Sequence, residues 1–260
     1  MNTNDTVLFE ARDGVACATL NRPQKFNCIS AALIDGLDEA INQAESDARI
    51  RVLVLRANGK HFCTGADLQE VREHSVTQES LDAFIGRGHE VFQRLESSPI
   101  PVIAAINGYC LAGGLELAMC ADVVFVAQDA RLGCQHARYG LVPGWGGTQR
   151  LPRLVGLRRA LDLMFSARWL DADEARSWGL VTEVTAPEAL DAASLAYASE
   201  LAGKNPEGLA AMKQLARSGA ELPLTEALQL EQKIAVPALR SENVAEGLRA
   251  FRERREPRFR

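Results

Sequence analysis

The chain has 260 residues, of which 47% are hydrophobic and 24% charged, and its formal net charge at pH 7 is −5. This composition is that of a folded globular protein, which excludes the disordered and fibrous classes, and the negative charge argues against a general nucleic-acid-binding protein. The longest apolar runs fall far short of the roughly 20 residues that a membrane-spanning helix needs, so no membrane association is expected.

Residues 7–127 alternate between predicted strands and helices. Alternating residues on both sides of Asp13-Gly14 predict a β-hairpin. Ser30 is a typical helix N-cap, and apolar residues follow it at helical spacing. Further on, we predict strands at 51–57, 102–106 and 123–127, a helix around 81–95 and a helix that begins at Gly113-Gly114. This alternation predicts right-handed βαβ crossovers and therefore an α/β domain.

The second half of the chain is predicted to be mainly helical. Residues 170–184 predict a helix and a last short strand, and Pro187 and Gly203 mark the two ends of another helix. Three more helices are predicted at 206–217, 224–236 and 242–253. We expect residues 1–200 to form the α/β core and residues 201–260 to form a helical region that packs on the core or on a neighbouring subunit.

The N-terminus, the cysteines and the histidines limit the compartment and the chemistry. The segment MNTNDTVLFEARDG has neither the basic stretch nor the apolar core of a signal peptide, so we expect a cytoplasmic protein. The six cysteines lie in apolar surroundings without regular spacing, which predicts buried, reduced thiols. The four histidines show no metal-ligand spacing, so no metal site is predicted.

Glycine-rich segments are typical of nucleotide-binding loops, but those of this chain do not fit the known motifs. In GWGGTQR (Gly144–Arg150), Gln149 occupies the place of the third small residue of a dinucleotide motif, and no first strand of a βαβ unit precedes it. No Gly-Lys-Ser or Gly-Lys-Thr of a P-loop occurs. Neither a Rossmann fold nor a P-loop is predicted.

Two strand-to-helix turns, HFCTGADLQE and YCLAGGLELA, indicate a different chemistry. N–H groups at a helix start lack intrahelical partners, and glycine or alanine there lets a carbonyl oxygen approach. Two such groups directed at one point form an oxyanion hole. Glu116 lies about one turn after Gly113 in an apolar run, and burying an ionised carboxylate is costly, so we expect Glu116 to transfer protons.

These segments give the chain a specific resemblance to the crotonase, or enoyl-CoA hydratase/isomerase, superfamily. The matching segments are collinear and cover nearly the whole chain: 21–30, 61–68, 101–122, 140–156, 170–181 and 251–259. The resemblance implies a spiral of ββα units and a helical C-terminal region that forms homotrimers or dimers of trimers. It also implies acyl-CoA thioester substrates, with coenzyme A as part of the substrate and no separate cofactor.

The resemblance also implies roles for the backbone of the two turns. The oxyanion N–H donors fall on Ala66 and Gly113, and each donor of this kind contributes about 3 kcal/mol to stabilising an enolate. The backbone that lines the adenine and pantetheine falls on two short stretches, formed by Gln24, Lys25 and Phe26 and by Ala66, Asp67 and Leu68.

One position departs from the superfamily pattern. Hydratases of this superfamily hold a water between two glutamates; Glu116 matches the first, and His136 stands at the second. No Asp or Glu occurs between Ala130 and Leu161, so a shifted alignment does not restore the pair. Three interpretations stay open. His136 replaces the second acid/base, for which an imidazole pKa near about 6.5 is suitable; Glu116 acts alone, as in a double-bond isomerisation; or His136 only fills the pocket wall.

Three more side chains are assigned to substrate binding. Gln69 stands where many relatives have a lysine for the CoA phosphates, so we expect Lys25 or the arginines of 249–260 to supply that charge. This terminal segment has six Arg and two Glu and is otherwise a solvated helix end or a contact for RNA. Tyr139 and Trp145 are expected to line or support the acyl end of the pocket.

The sequence therefore predicts an acyl-CoA-processing enzyme of the crotonase superfamily, an enoyl-CoA hydratase or enoyl-CoA isomerase homologue. Ala66 and Gly113 polarise the thioester, Glu116 is the main acid/base and His136 is the second group. The alternatives are another reaction on the same scaffold, hydrolysis or decarboxylation of a CoA thioester, and a non-catalytic or RNA-associated protein.

Overall fold

The computed structural model describes residues 5–259. Residues 1–4, which begin the segment used for the signal-peptide prediction, and Arg260 of the arginine-rich terminus lie outside the described residues. Strands and helices alternate as far as Thr185, and only helices follow, in agreement with the sequence prediction. No helix in the described range is long and apolar enough to cross a lipid bilayer.

The secondary structure of residues 5–259 comprises nine strands and eleven α-helices. The strands are β1 (Val7–Arg12), β2 (Val15–Leu20), β3 (Val52–Ala57), β4 (Val102–Ile106), β5 (Tyr109–Leu111), β6 (Val123–Ala127), β7 (Arg131–Gly133), β8 (Leu170–Asp171) and β9 (Glu183–Thr185). The helices are α1 (Ala31–Ser46), α2 (Leu68–His74), α3 (Gln78–Ser97), α4 (Gly113–Ala118), α5 (Gly147–Val155), α6 (Leu157–Ser166), α7 (Ala172–Ser177), α8 (Leu190–Ala202), α9 (Pro206–Gly219), α10 (Leu224–Ala238) and α11 (Glu242–Glu253). Three 3-10 helices occur at Pro23–Lys25, Gln135–Tyr139 and Pro187–Ala189.

A six-stranded sheet in the order β1-β2-β3-β4-β6-β9 forms the centre of the core. The predicted hairpin is confirmed: β1 and β2 are antiparallel, and Asp13 and Gly14 at the turn both have positive φ. All other pairs in this sheet are parallel. Strands β2 and β4 are buried along their whole length, which is typical of parallel strands covered on both faces. The predicted α/β class is confirmed.

The parallel order of β2, β3 and β4 determines where the site can form. The carboxyl ends of neighbouring parallel strands lie along one edge of a sheet. The chain leaves these three strands through residues 21–30, 58–67 and 107–113, which are the segments with the predicted site residues. The sheet therefore gathers at one edge residues that are far apart in the chain.

A second sheet, in the order β5-β7-β8, brings in the remaining segment. Strands β5 and β7 are parallel, with Leu111 opposite Gly133, and the amide of Ala112 donates to the carbonyl of Gly133 over 2.9 Å. The chain therefore leaves the two strands side by side, toward α4 and toward His136. The sequence analysis did not predict these strands, because strands of two or three residues carry too few positions to show an alternating pattern. It did not predict the helices α5 and α6 either.

The C-terminal helices pack less closely than the core. Helices α9 and α10 contain no buried residue. Ion pairs attach α9 to the core: Lys213 lies 2.7 Å from Asp122, and Arg217 lies 2.8 Å from both Asp122 and Glu96. The division at residue 200 stays a prediction; residue 200 lies inside α8 (Leu190–Ala202).

Candidate active site

A cavity of about 450 Å³ opens beside the start of α4. Most residues that the sequence predicted for the site lie in its wall: Lys25, Phe26, Ala66, Leu68, Gly113, Glu116, His136, Tyr139 and Trp145. Much of the remaining wall is apolar and includes Val71, Ile85, Leu141, Val142 and Trp169. A cavity of this kind fits a mainly apolar ligand held in place by a few polar groups.

The amide of Ala66 is directed away from its neighbouring strand segment. Ala66 forms an isolated parallel bridge with Ile29. The Ile29 amide donates to the carbonyl of Gly65, and the Asp67 amide donates to the carbonyl of Ile29, each over 2.8 Å. In this bridge Ile29 makes both hydrogen bonds, to the two residues that flank Ala66, so the N–H of Ala66 points away from Ile29. The Ala66 N–H therefore does not bond to Ile29, and Ala66 lies in the wall of the adjoining cavity.

The amide of Gly113 is the first of α4, so the helix offers no acceptor for it. Gly65 of the other turn lies beside this amide. Gly65 has φ +107°, and a Cβ on it would lie 3.3 Å from the Gly113 nitrogen. A Cβ at Gly114 would lie only 2.3 Å from the carbonyl oxygen of Cys63. The two turns therefore touch through positions where only glycine fits.

Glu116 is held by one carboxylate oxygen. Its Oε1 accepts hydrogen bonds from the backbone amides of Trp145 (2.8 Å) and Gly147 (2.7 Å), which offset the charge of a side chain that is only 2% exposed. Its Oε2 is buried and has no hydrogen-bond partner within residues 5–259. The chain thus fixes the orientation of Glu116 through Oε1 and leaves Oε2 without a hydrogen bond.

His136 lies beside that second oxygen. Its Nε2 is 3.5 Å from Glu116 Oε2, longer than a well-formed hydrogen bond but within ion-pair distance. Burial opposes the charged imidazole, but contacts with Cys134 and Glu116 outweigh it and raise the pKa of His136 to about 9. At neutral pH the His136 ring is therefore charged, and it lies beside the Glu116 carboxyl group.

The two predicted aromatic residues differ in their surroundings. Trp145 is buried and packs against the rings of Phe84 and Phe92, with ring centroids 5.6 and 5.7 Å apart. Its indole occupies the space that a side chain at Gly88 of α3 would need. Tyr139 is 64% exposed. Trp145 therefore forms a rigid wall of the cavity, whereas Tyr139 lies at its rim.

Three predicted substrate-binding residues do not line the cavity: Gln24, Asp67 and Gln69. Asp67 caps α2 by accepting from the Gln69 amide (3.2 Å) and pairs with Arg22 over 3.0 Å. The Gln69 side chain donates to Glu73 over 3.0 Å. Substrate binding by these residues stays a prediction, and the observed contacts of Asp67 are structural.

The arginine-rich terminus is partly neutralised within the chain. Arg249 and Arg255 each lie 2.7 Å from Glu246. None of the arginines described between residues 249 and 259 lines the cavity. A contact with CoA phosphates within one chain therefore gains no support here, while Lys25 does lie in the cavity wall.

Sequence reasoning missed three residues of this region. Arg138 lines the cavity. Cys28 also lines it and is only half-buried, which corrects the expectation that all six thiols are buried; burial and the nearby Asp67 raise its pKa to about 11. The Sγ of Cys134 lies 3.4 Å from His136 Nδ1. The i, i+2 spacing of Cys134 and His136 was the available signal, but by itself it is not specific.

Among residues 5–259, no three His, Cys, Asp or Glu side chains are arranged so that they could hold a metal ion.

Comparisons with known proteins identify the family and the fold of the chain. The family model "Enoyl-CoA hydratase/isomerase" matches residues 10–260. A Bacillus subtilis (strain 168) protein named "Probable enoyl-CoA hydratase" is 37% identical over 246 residues, covering 94% of this chain and 95% of that protein. The mitochondrial methylglutaconyl-CoA hydratase of Homo sapiens is 34% identical over 268 residues, covering 100% and 78%. The crystal structure of an enoyl-CoA hydratase from Bacillus anthracis has a TM-score of 0.93 at 33% identity and 98% coverage of both chains.

Proposed function

Because the chain belongs to the enoyl-CoA hydratase/isomerase family, we propose that it adds water across the double bond of a 2-enoyl-CoA thioester. The family is one of enzymes that act on acyl-CoA. One observation carries the proposal for this site: a single cavity contains the available amides of Ala66 and Gly113 together with the Glu116–His136 pair.

The reaction uses both members of the pair. Glu116 Oε2 takes a proton from water while the water oxygen bonds to the β-carbon of the enoyl group. The π electrons move to the thioester carbonyl, whose developing negative charge is stabilised by the N–H groups of Ala66 and Gly113. His136 Nε2 donates its proton to the α-carbon, which completes the 3-hydroxyacyl thioester. Transfer of the proton from Oε2 to Nε2 then restores both groups.

The contact between Glu116 and His136 favours hydration over isomerisation by Glu116 alone. Moving a proton between two carbons needs one base, whereas adding water needs a base for the water and an acid for the α-carbon. A charged His136 at 3.5 Å from Glu116 supplies that acid.

The test is direct. Mixing the protein with 2-enoyl-CoA thioesters of short, long and branched acyl chains is expected to remove the absorbance of the conjugated enoyl thioester. The matching 3-enoyl thioesters are the comparison, because an isomerase would create that absorbance from them. No loss with any of the 2-enoyl substrates would contradict the hydratase proposal.

The pH dependence of hydration follows from His136. Its raised pKa keeps the ring protonated, and able to donate, up to about pH 9. We therefore expect kcat/KM, which reports groups of the free enzyme, to decrease as the pH rises through about 9. The measurement is the initial rate at low substrate concentration across the alkaline range.

The matched control for this profile is His136→Gln, which removes the titrating group. It is expected to lower kcat about 100-fold and to remove the alkaline decrease. A pH profile that is unchanged in the variant would contradict an acid role for His136. A wild-type profile that decreases near the ordinary imidazole pKa of about 6.5 would instead contradict the raised pKa.

For the CoA portion, we propose binding along the backbone of Gln24, Lys25 and Phe26 and of Ala66, Asp67 and Leu68. The position of Lys25, Phe26, Ala66 and Leu68 in the cavity wall supports this arrangement. The Lys25 ammonium is the cation that this part of the wall offers to a phosphate. Coenzyme A belongs to the substrate in this proposal, and no separate cofactor takes part.

We also propose that the chain assembles as a homotrimer or a dimer of trimers through its C-terminal helices. Large apolar side chains are exposed on α9 to α11 and the turn after α10, including Met212, Leu224, Leu228, Leu239, Leu248 and Phe251. Clusters of exposed apolar side chains mark contact surfaces. Sedimentation analysis is expected to give three or six times the mass of one chain, and a monomer at micromolar concentration would contradict the proposal.

A further inference from the structure

Cys134 contacts the side of the His136 ring that faces away from Glu116. Its Sγ lies 3.4 Å from Nδ1, while Nε2 lies 3.5 Å from Glu116 Oε2. Cys134 is 3% exposed and does not line the cavity. The thiol therefore does not reach a ligand, and its neighbour on this side is the imidazole.

We propose that Cys134 is a positioning residue for His136, whose thiol holds Nδ1 so that Nε2 faces Glu116 in both protonation states of the ring. This inference rests on the proposed function, in which His136 donates a proton and later recovers it. The ring must keep one orientation throughout that cycle.

A thiol is suited to this task because it can both donate and accept a hydrogen bond. When His136 is charged, Nδ1–H donates to the sulfur. When His136 has given its Nε2 proton to the α-carbon, Nδ1 keeps its proton, and the bare Nε2 is ready to take the proton from Glu116 Oε2. If the ring instead holds its single proton on Nε2, the thiol donates S–H to Nδ1. An alanine at position 134 could do neither.

The backbone around His136 is already fixed, which leaves ring rotation as the remaining freedom. The side chain of Gln135 donates to the carbonyl of Ala167 over 2.6 Å, and the amide of Leu141 donates to the carbonyl of His136 over 3.0 Å. These contacts anchor both sides of the 3-10 helix Gln135–Tyr139. Only contacts with the ring itself can then select the direction of Nε2.

The charged groups near His136 come from three sources. Glu116 on α4 and Cys134 on the same segment favour its charged form, against burial. Helix α6, which packs against the 3-10 helix, carries Arg158, Arg159 and Asp162. Asp162 pairs with Arg168, and Arg159 lies over the ring of Trp178. Arg138 and Lys25 share the cavity wall.

The experiment is an NMR titration of the His136 ring in the protein without substrate. The chain has four histidines, and His136→Gln identifies the signal. In Cys134→Ala the pKa of His136 is expected to decrease from about 9, because the contact with Cys134 is lost while the contact with Glu116 remains. Cys134→Ser, which keeps a donor and acceptor, is expected to restore most of the shift. Cys17→Ala, which removes another buried thiol, should leave His136 unchanged.

Kinetics provide the second readout. Cys134→Ala is expected to lower kcat about tenfold with little change in KM and to move the alkaline decrease to lower pH, because outer partners of a reacting group typically have effects of this size. If the cavity left by alanine prevents folding, Cys134→Val, which is also unable to hydrogen-bond, takes its place.

Two outcomes would overturn the proposal. The first is an unchanged His136 titration in the alanine or valine variant. The second is an equal loss of kcat in the serine and alanine variants without any change in the pKa of His136, which would indicate packing alone. The titration needs no substrate, so it can be carried out and interpreted even if the wild-type protein is inactive. Inactivity would contradict the proposed function, whereas only the titration and the variants test the role of Cys134.

Discussion

Glu116→Gln should lower kcat for hydration about 1,000-fold, because an amide cannot accept the proton of water. The amide oxygen of glutamine can still accept from the backbone amides of Trp145 and Gly147, so the cavity should keep its shape. The measurements are the rate of loss of the conjugated enoyl-thioester absorbance and the thermal unfolding midpoint.

Glu79→Gln is the matched control, since Glu79 is an exposed carboxylate in the first turn of α3. It should leave both kcat and the unfolding midpoint unchanged. A Glu116→Gln protein with wild-type kcat/KM would remove Glu116 from the reaction. Loss of activity together with a large decrease in the unfolding midpoint would instead indicate that the carboxylate is structural.

Gly114→Ala should both destabilise the fold and reduce activity. The added Cβ would lie 2.3 Å from the carbonyl oxygen and 2.8 Å from the carbonyl carbon of Cys63, which are backbone atoms and cannot turn aside. We expect a loss of about 2–3 kcal/mol in the free energy of unfolding. The clash also separates the turns that carry Ala66 and Gly113, so kcat should decrease about 100-fold. Chemical denaturation and steady-state kinetics measure the two effects.

Gly86→Ala provides the opposite case in the same protein. Gly86 lies inside α3, and a Cβ there would meet no atom within 4 Å. Alanine is favoured over glycine in a helix, so this variant should gain about 0.5–1 kcal/mol and keep full activity. Equal stability of the two variants would show that the contact between the turns at Gly114 is not tight.

Much of the core architecture follows from local patterns. The hairpin at Asp13-Gly14, the Ser30 cap of α1 and the strands β3, β4 and β6 were all predicted and are all present. Their patterns are strong because parallel strands buried on both faces read as short apolar runs and amphipathic helices repeat every three to four residues. The strands that were missed, β5, β7 and β8, have only two or three residues; the helices α5 and α6 were missed as well.

Residue types alone were enough to establish the α/β class, the two glycine-bearing turns and a single carboxylate, Glu116, in an apolar run. The resemblance to the crotonase superfamily implied, in addition, that His136 stands at the position of the second glutamate of its hydratases. The role of His136 could not be chosen among three interpretations, because that choice depends on which atoms lie next to its ring. No pattern along the chain contains that information.

The folded chain brings His136 to Glu116 through contacts between distant segments, and this placement supports the acid/base interpretation that we propose. The donors that hold Glu116 Oε1 are 29 and 31 residues further along the chain, and the short strands β5 and β7 place His136 beside Glu116 by pairing Leu111 with Gly133. Their register depends on the packing of the whole domain. Local residue patterns therefore identify the chemical groups, Glu116 and His136. The pairing of segments that are distant in the chain sets the distance between these groups and their burial.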